Sequence, residues 1–290
     1  MTPASRLRRR PARLAALAAT LLVAGAISGC TASRAEDPGD PALEVVADDA
    51  TSYSFDAPAE VTAGAQRLSL RNTGAEPHHA QLFRLADDAT ISDLVPVLEG
   101  GDPAALTALG SFAGGTGVVD PGGTSRADAV VDLEAGRYGL LCFIPDADGR
   151  PHYLAGMARE LRVSAATGSA EPAPPADAEA ALVDYGFDVP QELAGDAAVQ
   201  VENRSRSEPH EVVVARLDEG ASAGDVLEAL ADGRPPPSTG VGGVQALPPG
   251  ARQRLQLDLE PGRYLLLCRV PSPDGVEHAE KGMITEITVS

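Results

Sequence analysis

Through most of the chain, apolar and polar residues alternate over short stretches. Leu68 and Leu70 alternate with polar neighbours, as do Leu255, Leu257 and Leu259, the period of two that a half-buried strand requires. Leu161 and Val163 repeat the pattern, and so do Ile287 and Val289 near the C-terminus. Val212 to Val214 is instead a short β-branched run, suited to a central strand. Turn formers such as Pro121-Gly122-Gly123 and Pro249-Gly250 separate the strands. Helical spacing is rarer. Ser222 stands three residues before Asp225 and is followed by Val226, Leu227 and Leu230, which predicts an N-cap with an acid at the third helical position and one apolar face. Thr90 and Asp93 hold the same places earlier in the chain, where Pro96 predicts a helix that starts late or is distorted. Gly100 to Gly115 has room for a second short helix.

An internal repeat organises these elements. Tyr53-Ser54-Phe55-Asp56-Ala57-Pro58 matches Tyr185-Gly186-Phe187-Asp188-Val189-Pro190, and Glu76-Pro77-His78 matches Glu208-Pro209-His210 at the same offset. Asp132 to Cys142 then matches Asp258 to Cys268, His152 matches His278, and Gly156-Met157 matches Gly282-Met283. The repeat predicts an all-β protein of two tandem Greek-key β-sandwich domains, residues 44–164 and 179–290, each with a short helical insertion. Residues 165–178, rich in Pro, Ala and acid, read as a semi-extended linker.

The N-terminus reads differently. Arg6, Arg8, Arg9, Arg10 and Arg13 precede an apolar run from Leu14 to Ile27, the length of a signal-peptide core and short for a membrane span. The run ends in Ile27-Ser28-Gly29-Cys30, which resembles a bacterial lipobox. The resemblance implies that residues 1–29 are a signal peptide, that Cys30 is acylated, and that residues 30–43 are a tether holding the protein to the outer face of the cell membrane or in the periplasm. An ordinary signal peptide with an incidental Cys is the other reading. Loss of residues 1–29 would remove five Arg and no acid, moving the net charge from −19 to −24. So acidic a chain is a poor nucleic-acid binder. It fits a basic partner instead, such as a small cytochrome acting as redox partner.

The metal-ligating side chains are few, with five His, three Cys and three Met in 290 residues, and they are almost all used by the repeat. Each copy sets one His upstream of a Cys, a His and a Met, with nine residues between Cys and His and four between His and Met. The first set is His78, Cys142, His152 and Met157. The second is His210, Cys268, His278 and Met283. Two imidazoles, a thiolate and a weak axial thioether describe a blue-copper electron-transfer site, because sulfur suits Cu(I) while imidazole suits Cu(II).

Each copy resembles the cupredoxin family. An Asn and a Pro precede the first His (Asn72 and Pro77; Asn203 and Pro209), and a Gly-x-Tyr precedes the Cys (Gly136 and Tyr138; Gly262 and Tyr264). A His and a Met close each copy. The resemblance implies cupredoxin-like sandwiches with one copper each. One departure is the nine-residue interval between Cys and His, where familiar members have two to four. Both intervals contain a Pro and then Asp-Gly (Asp148-Gly149, Asp274-Gly275), which predicts a hairpin that doubles back to deliver the His.

Plainer readings stand beside these. The two Cys could be core thiols, or a disulfide in an oxidising compartment. His79 reads as a surface residue, or as a replacement for His78 in a shifted register. Glu76 and Glu208, beside the His, read as acids solvating a turn, with support of the imidazoles as the other reading. No His-x-His pair occurs, nor any Ser-His-Asp set, phosphate loop or H-E-x-x-H, so no enzymatic activity is expected. The function expected is electron transfer through two type 1 copper sites. The alternatives are a copper-buffering lipoprotein without electron transfer and a metal-free binding module.

Overall fold

The computed structural model describes residues 42–166 and 175–290. The proposed signal peptide, Cys30 and nearly all of the tether lie outside the described residues, as does much of the 165–178 linker. In the first half, β1 (Ala42–Asp48), β2 (Ser54–Asp56), β3 (Glu60–Thr62), β4 (Gly64–Asn72) and β5 (His78–Leu85) precede helices α1 (Ile91–Gly100) and α2 (Pro103–Leu109). Then come β6 (Gly110–Val119), β7 (Ala127–Leu133), β8 (Gly136–Leu141), the single turn α3 (His152–Ala155) and β9 (Ala158–Ser164). The second half repeats the order with β10 (Ala178–Val183), β11 (Gly186–Asp188), β12 (Glu192–Leu193), β13 (Ala198–Asn203), β14 (His210–Leu217), α4 (Ala223–Ala231), β15 (Ser238–Leu247), β16 (Arg252–Leu257), β17 (Gly262–Leu267) and β18 (Ile284–Val289).

The alternating Leu and Val positions all point inward. Leu68, Leu70, Leu161 and Val163 belong to one buried cluster, and Leu255, Leu257, Ile287 and Val289 to the other. Val212 to Val214 lies in β14, between β15 and β17 and covered on both sides. Both predicted capping boxes form, with Thr90 and Ser222 each exchanging hydrogen bonds with the acid three residues on. The helix at Thr90 departs from expectation. It starts at its cap and runs straight through Pro96. Pro96 and Ser92 are both exposed, so the hydrogen bond that Pro96 cannot make is lost on the solvent side, where water replaces it. The helix α2, capped by Asp102 with Pro at its first turn, is the second short helix and has no counterpart in the second half.

The two halves are not beads on a linker. The strands form two layers, ordered β11-β10-β13-β16-β7-β4-β1-β2 and β12-β18-β17-β14-β15-β6-β5-β8-β9-β3. Each layer therefore passes without a break from one half to the other, through β16·β7 and through β15·β6. The joining strands are rich in glycine because their backbones approach closely. Across the joint, a Cβ on Gly117 would stand 2.3 Å from the carbonyl oxygen of Gly242; within the halves, one on Gly115 would stand 2.1 Å from that of Ala80 and one on Gly243 1.9 Å from that of Val212. Buried amides stitch the seam: Gln253 accepts from the N–H of Gly115 and donates to its carbonyl.

This joint fixes how the halves face each other. Along β5, β6, β15 and β14 each neighbouring pair is antiparallel, so β5 and β14 run in opposite directions. Each begins with the upstream His of its half, and the two ligand sets therefore sit at opposite ends of the shared sandwich.

Candidate metal centres

In each half the sandwich end gathers three buried donors. His78, Cys142 and His152 lie with their donor atoms within 4.8 Å of one another, and so do His210, Cys268 and His278. Nδ1 of His78 is 3.1 Å from Nδ1 of His152, and Cys142 Sγ is 3.5 Å from the latter. In the second half the two Nδ1 atoms are 2.9 Å apart, with Cys268 Sγ 3.4 Å from His278 and 3.9 Å from His210. The Cys residues are unpaired thiols, so no disulfide joins Cys142 to Cys268.

Local backbone chemistry explains the convergence. Asn72 donates its side-chain amide to the carbonyls of Glu76 and Val119, and Asn203 does the same to Glu208 and Leu247. Each Asn thereby pins the turn that delivers the first His. The predicted hairpins close: Gly149 donates to Asp146 and Asp146 to Arg150, while Gly275 donates to Ser272 and Ser272 to Val276. Gly149 and Gly275 have φ of 81° and 84°, the left-handed conformation these turns demand. The doubled-back loop returns His152 to within a hydrogen bond of Ile144, and His278 of Val270. Met157 and Met283 are fully buried, pack in the same clusters as Cys142 and Cys268, and accept the Cys N–H through their own carbonyls.

The outer nitrogens are also held. Nε2 of His152 meets Glu76 at 2.9 Å, and Nε2 of His278 meets Glu208 at 2.8 Å. Tyr53 and Tyr185 donate their hydroxyls to these same carboxylates while packing against the same imidazoles. Glu76 and Glu208 are therefore partners of the imidazoles, not merely turn-solvating acids. Their signal was present, since Tyr, Glu and His recur together in both copies. His79 is also corrected. It is 5% exposed, and its Nε2 accepts the backbone N–H of Phe143, the residue after Cys142. Asp49 was not foreseen. It accepts the N–H groups of Ala75 and Glu76 and contacts Nε2 of His78 at 3.1 Å.

The protonation states suit a metal. Burial and the neighbouring His152 hold His78 below its ordinary value despite Asp49, and burial with His278 holds His210 down at about 4. His78, His152 and His210 are thus neutral near pH 7. Burial raises both thiols, that of Cys142 to about 12, so an ion must displace a proton from each. In the first half both Nε2 atoms face carboxylates and carry the hydrogen. Both Nδ1 lone pairs then face each other at 3.1 Å, an arrangement that repels unless a cation lies between them. The donor set of two imidazoles and a thiolate could hold a copper ion in each half.

The strand order and this donor set make the fold cupredoxin-like in both halves. No protein-family model matches the chain, and no curated protein matches it. Solved structures do. A reduced auracyanin from the photosynthetic bacterium Roseiflexus castenholzii is 25% identical over 39% of this chain and 95% of its own, with a TM-score of 0.29. A multicopper oxidase is 17% identical over 87% of this chain and 89% of its own, with a TM-score of 0.28. A copper nitrite reductase from Nitrosomonas europaea is 13% identical over 87% and 94%, with a TM-score of 0.27. The last two are enzymes. Against the expectation of no enzymatic activity, the neighbours thus include enzymes as well as an auracyanin that matches 39% of this chain, and they leave its activity unassigned. Among the described residues no helix is long and apolar enough to cross a membrane.

Proposed function

We propose that this chain is an exported, lipid-anchored copper protein that transfers electrons through two type 1 sites. The ligands are His78, Cys142, His152 and Met157 in the first half, and His210, Cys268, His278 and Met283 in the second. The observation that carries this reading is the double convergence of two Nδ1 atoms and one Sγ in a buried, preformed cluster. Copper bound there would cycle between its two oxidation states with little ligand movement. The scaffold supports this by holding the donors from the backbone: the N–H of Glu211 reaches Cys268 Sγ at 3.5 Å, and both ligand loops are closed hairpins. Arg6 to Arg13, the apolar run and Cys30 support export and anchoring, and the acidic balance supports a basic redox partner, such as a small cytochrome, met through charge. Purified protein lacking residues 1–30 should bind two copper ions, absorb strongly towards the red end of the visible spectrum and show a reversible redox wave. A chain that binds no copper overturns the proposal.

A second reading is copper buffering without electron transfer. It is favoured by one observation: His152 and His278 are both fully covered and their outer nitrogens are capped by carboxylates, so no ligand edge reaches solvent. Tight copper binding with no reversible wave would establish it.

A further inference from the structure

The two ligand sets match in their donors but not in what stands behind them. In the first half, Nε2 of His78 meets Asp49 at 3.1 Å. In the second, Nε2 of His210 is buried with no hydrogen-bond partner. The difference has a local origin. Ala47 pairs with Asn72, and Leu182 with the equivalent Asn203. From these positions to Tyr53 and Tyr185 the chain spends five residues in the first half and two in the second. The longer loop brings Asp49 inward, where its side chain is 5% exposed, and the backbone N–H groups of Ala75 and Glu76 fix both its oxygens. The shorter loop leaves Asp184 exposed, acting on His210 through its charge but making no hydrogen bond to it.

Resting on the reading of both sets as copper sites, we infer that Asp49 is a positioning residue that makes the two sites unequal, the first binding copper more tightly and holding it at a lower reduction potential. The physical reason is tautomeric. A carboxylate that accepts the Nε2 hydrogen leaves Nδ1 as the free donor, orients the ring and raises its basicity. His78 is locked in the ligand form before metal arrives. His210 is not, because Nε2–H has no acceptor while Nδ1 can donate to His278 at 2.9 Å. The second site must give up that hydrogen bond and bury an unpartnered N–H in order to bind. Greater basicity also favours Cu(II) over Cu(I), which lowers the potential.

The test uses the full mature chain with one site at a time. Cys268→Ser leaves the first site and Cys142→Ser leaves the second, and copper affinity is measured against a competing chelator while the potential is read by voltammetry. The first site should bind about 10- to 100-fold more tightly, the range found when such a partner is lost, and at the lower potential. Asp49→Asn in the Cys268→Ser background should remove the advantage and raise the potential, a shift that a purely structural loop role would not produce. Should that variant fold poorly, replacing Val183-Asp184 with the segment Asp48 to Ser52 in the Cys142→Ser background should tighten the second site. Equal affinities and potentials in the two single-site chains overturn the inference and leave the proposed function standing. Copper binding by neither chain overturns both.

Discussion

Phe143 donates its backbone N–H to Nε2 of His79 at 3.0 Å, and in the second half Arg269 donates to Glu211 at 2.9 Å. Two unlike side chains do one job, holding the residue that follows the ligand Cys. The acceptor side chain is buried and the bond itself part-buried, so its loss matters. His79→Ala should destabilise the metal-free chain by about 1–3 kcal/mol, the cost of a buried group left unpaired. His79→Gln restores an acceptor and should recover part of that loss. Urea midpoints at unchanged slope check both; an alanine variant of full stability would show the bond to be unimportant.

The same pair predicts opposite responses to pH in the metal-free chain. Burial pushes His79 down to about 3, so below its unfolded value of 6.5 the unfolded chain binds the extra proton and stability falls with acidification, down to about pH 3. Burial pushes Glu211 up to about 7, although the Arg269 N–H and guanidinium oppose this. It is therefore ionised in the unfolded chain first, and stability falls as pH rises from 4.5 to 7. Between about 4.5 and 6.5 the two slopes oppose each other. Removing one should change the slope of the whole chain by at most about 1.4 kcal/mol per pH unit. Against the unmodified chain, whose slope also carries His78, His152 and His210, stability of His79→Gln should climb less steeply with pH in that window, and stability of Glu211→Gln more steeply. Denaturation at a series of pH values decides it, and identical profiles for the two variants would refute the assignment.

These residues also mark where the sequence could be read. The donors were legible because soft ligands are scarce and their order repeats, and the Cys-to-His hairpins because Asp-Gly at Asp148 and Asp274 has few other uses. Asp49 was not, because it lies in a loop that the copies do not share, next to Asp48, where an acid looks solvated. His79 was misread because only the second copy's Glu211 reveals the position as an acceptor, and that equivalence needs the strand register. The seam between the halves was illegible for a related reason. β6 and β15 are glycine-rich and do not alternate, so nothing in them says which strand lies alongside.

The two sheets that run through both halves predict that they unfold as one cooperative unit. A methyl group on Gly243 would meet the Val212 carbonyl at 1.9 Å, at φ of 126°, so neither strand can move aside without parting β14 from β15. Gly243→Ala should cost at least about 2 kcal/mol through overpacking and backbone strain. Gly250→Ala, at φ of 80° with open space around it, should cost about 1–2 kcal/mol from backbone alone. Thermal unfolding should show one transition for the whole chain, shifted by Gly243→Ala without splitting. Two separated transitions would mean that the halves fold independently despite the shared sheets.

The sheet register also sets the distance between the sites. His78 stands opposite Val119, Val119 opposite Val241, and His210 opposite Leu247, six residues further along β15. Three strand spacings across and six residues along place the two histidine Cα atoms about 25 Å apart. At that separation, with no shared ligand or loop, changes at one site should leave the other untouched. The absorption spectra of Cys142→Ser and Cys268→Ser should therefore add up to that of the unmodified chain, and the potential of each site should not depend on the oxidation state of the other. After rapid reduction of one site, electrons should redistribute at a rate that rises with protein or partner concentration, because exchange runs between molecules. A fast, concentration-independent phase would instead require a conducting path across the β6–β15 seam, and would refute two isolated centres.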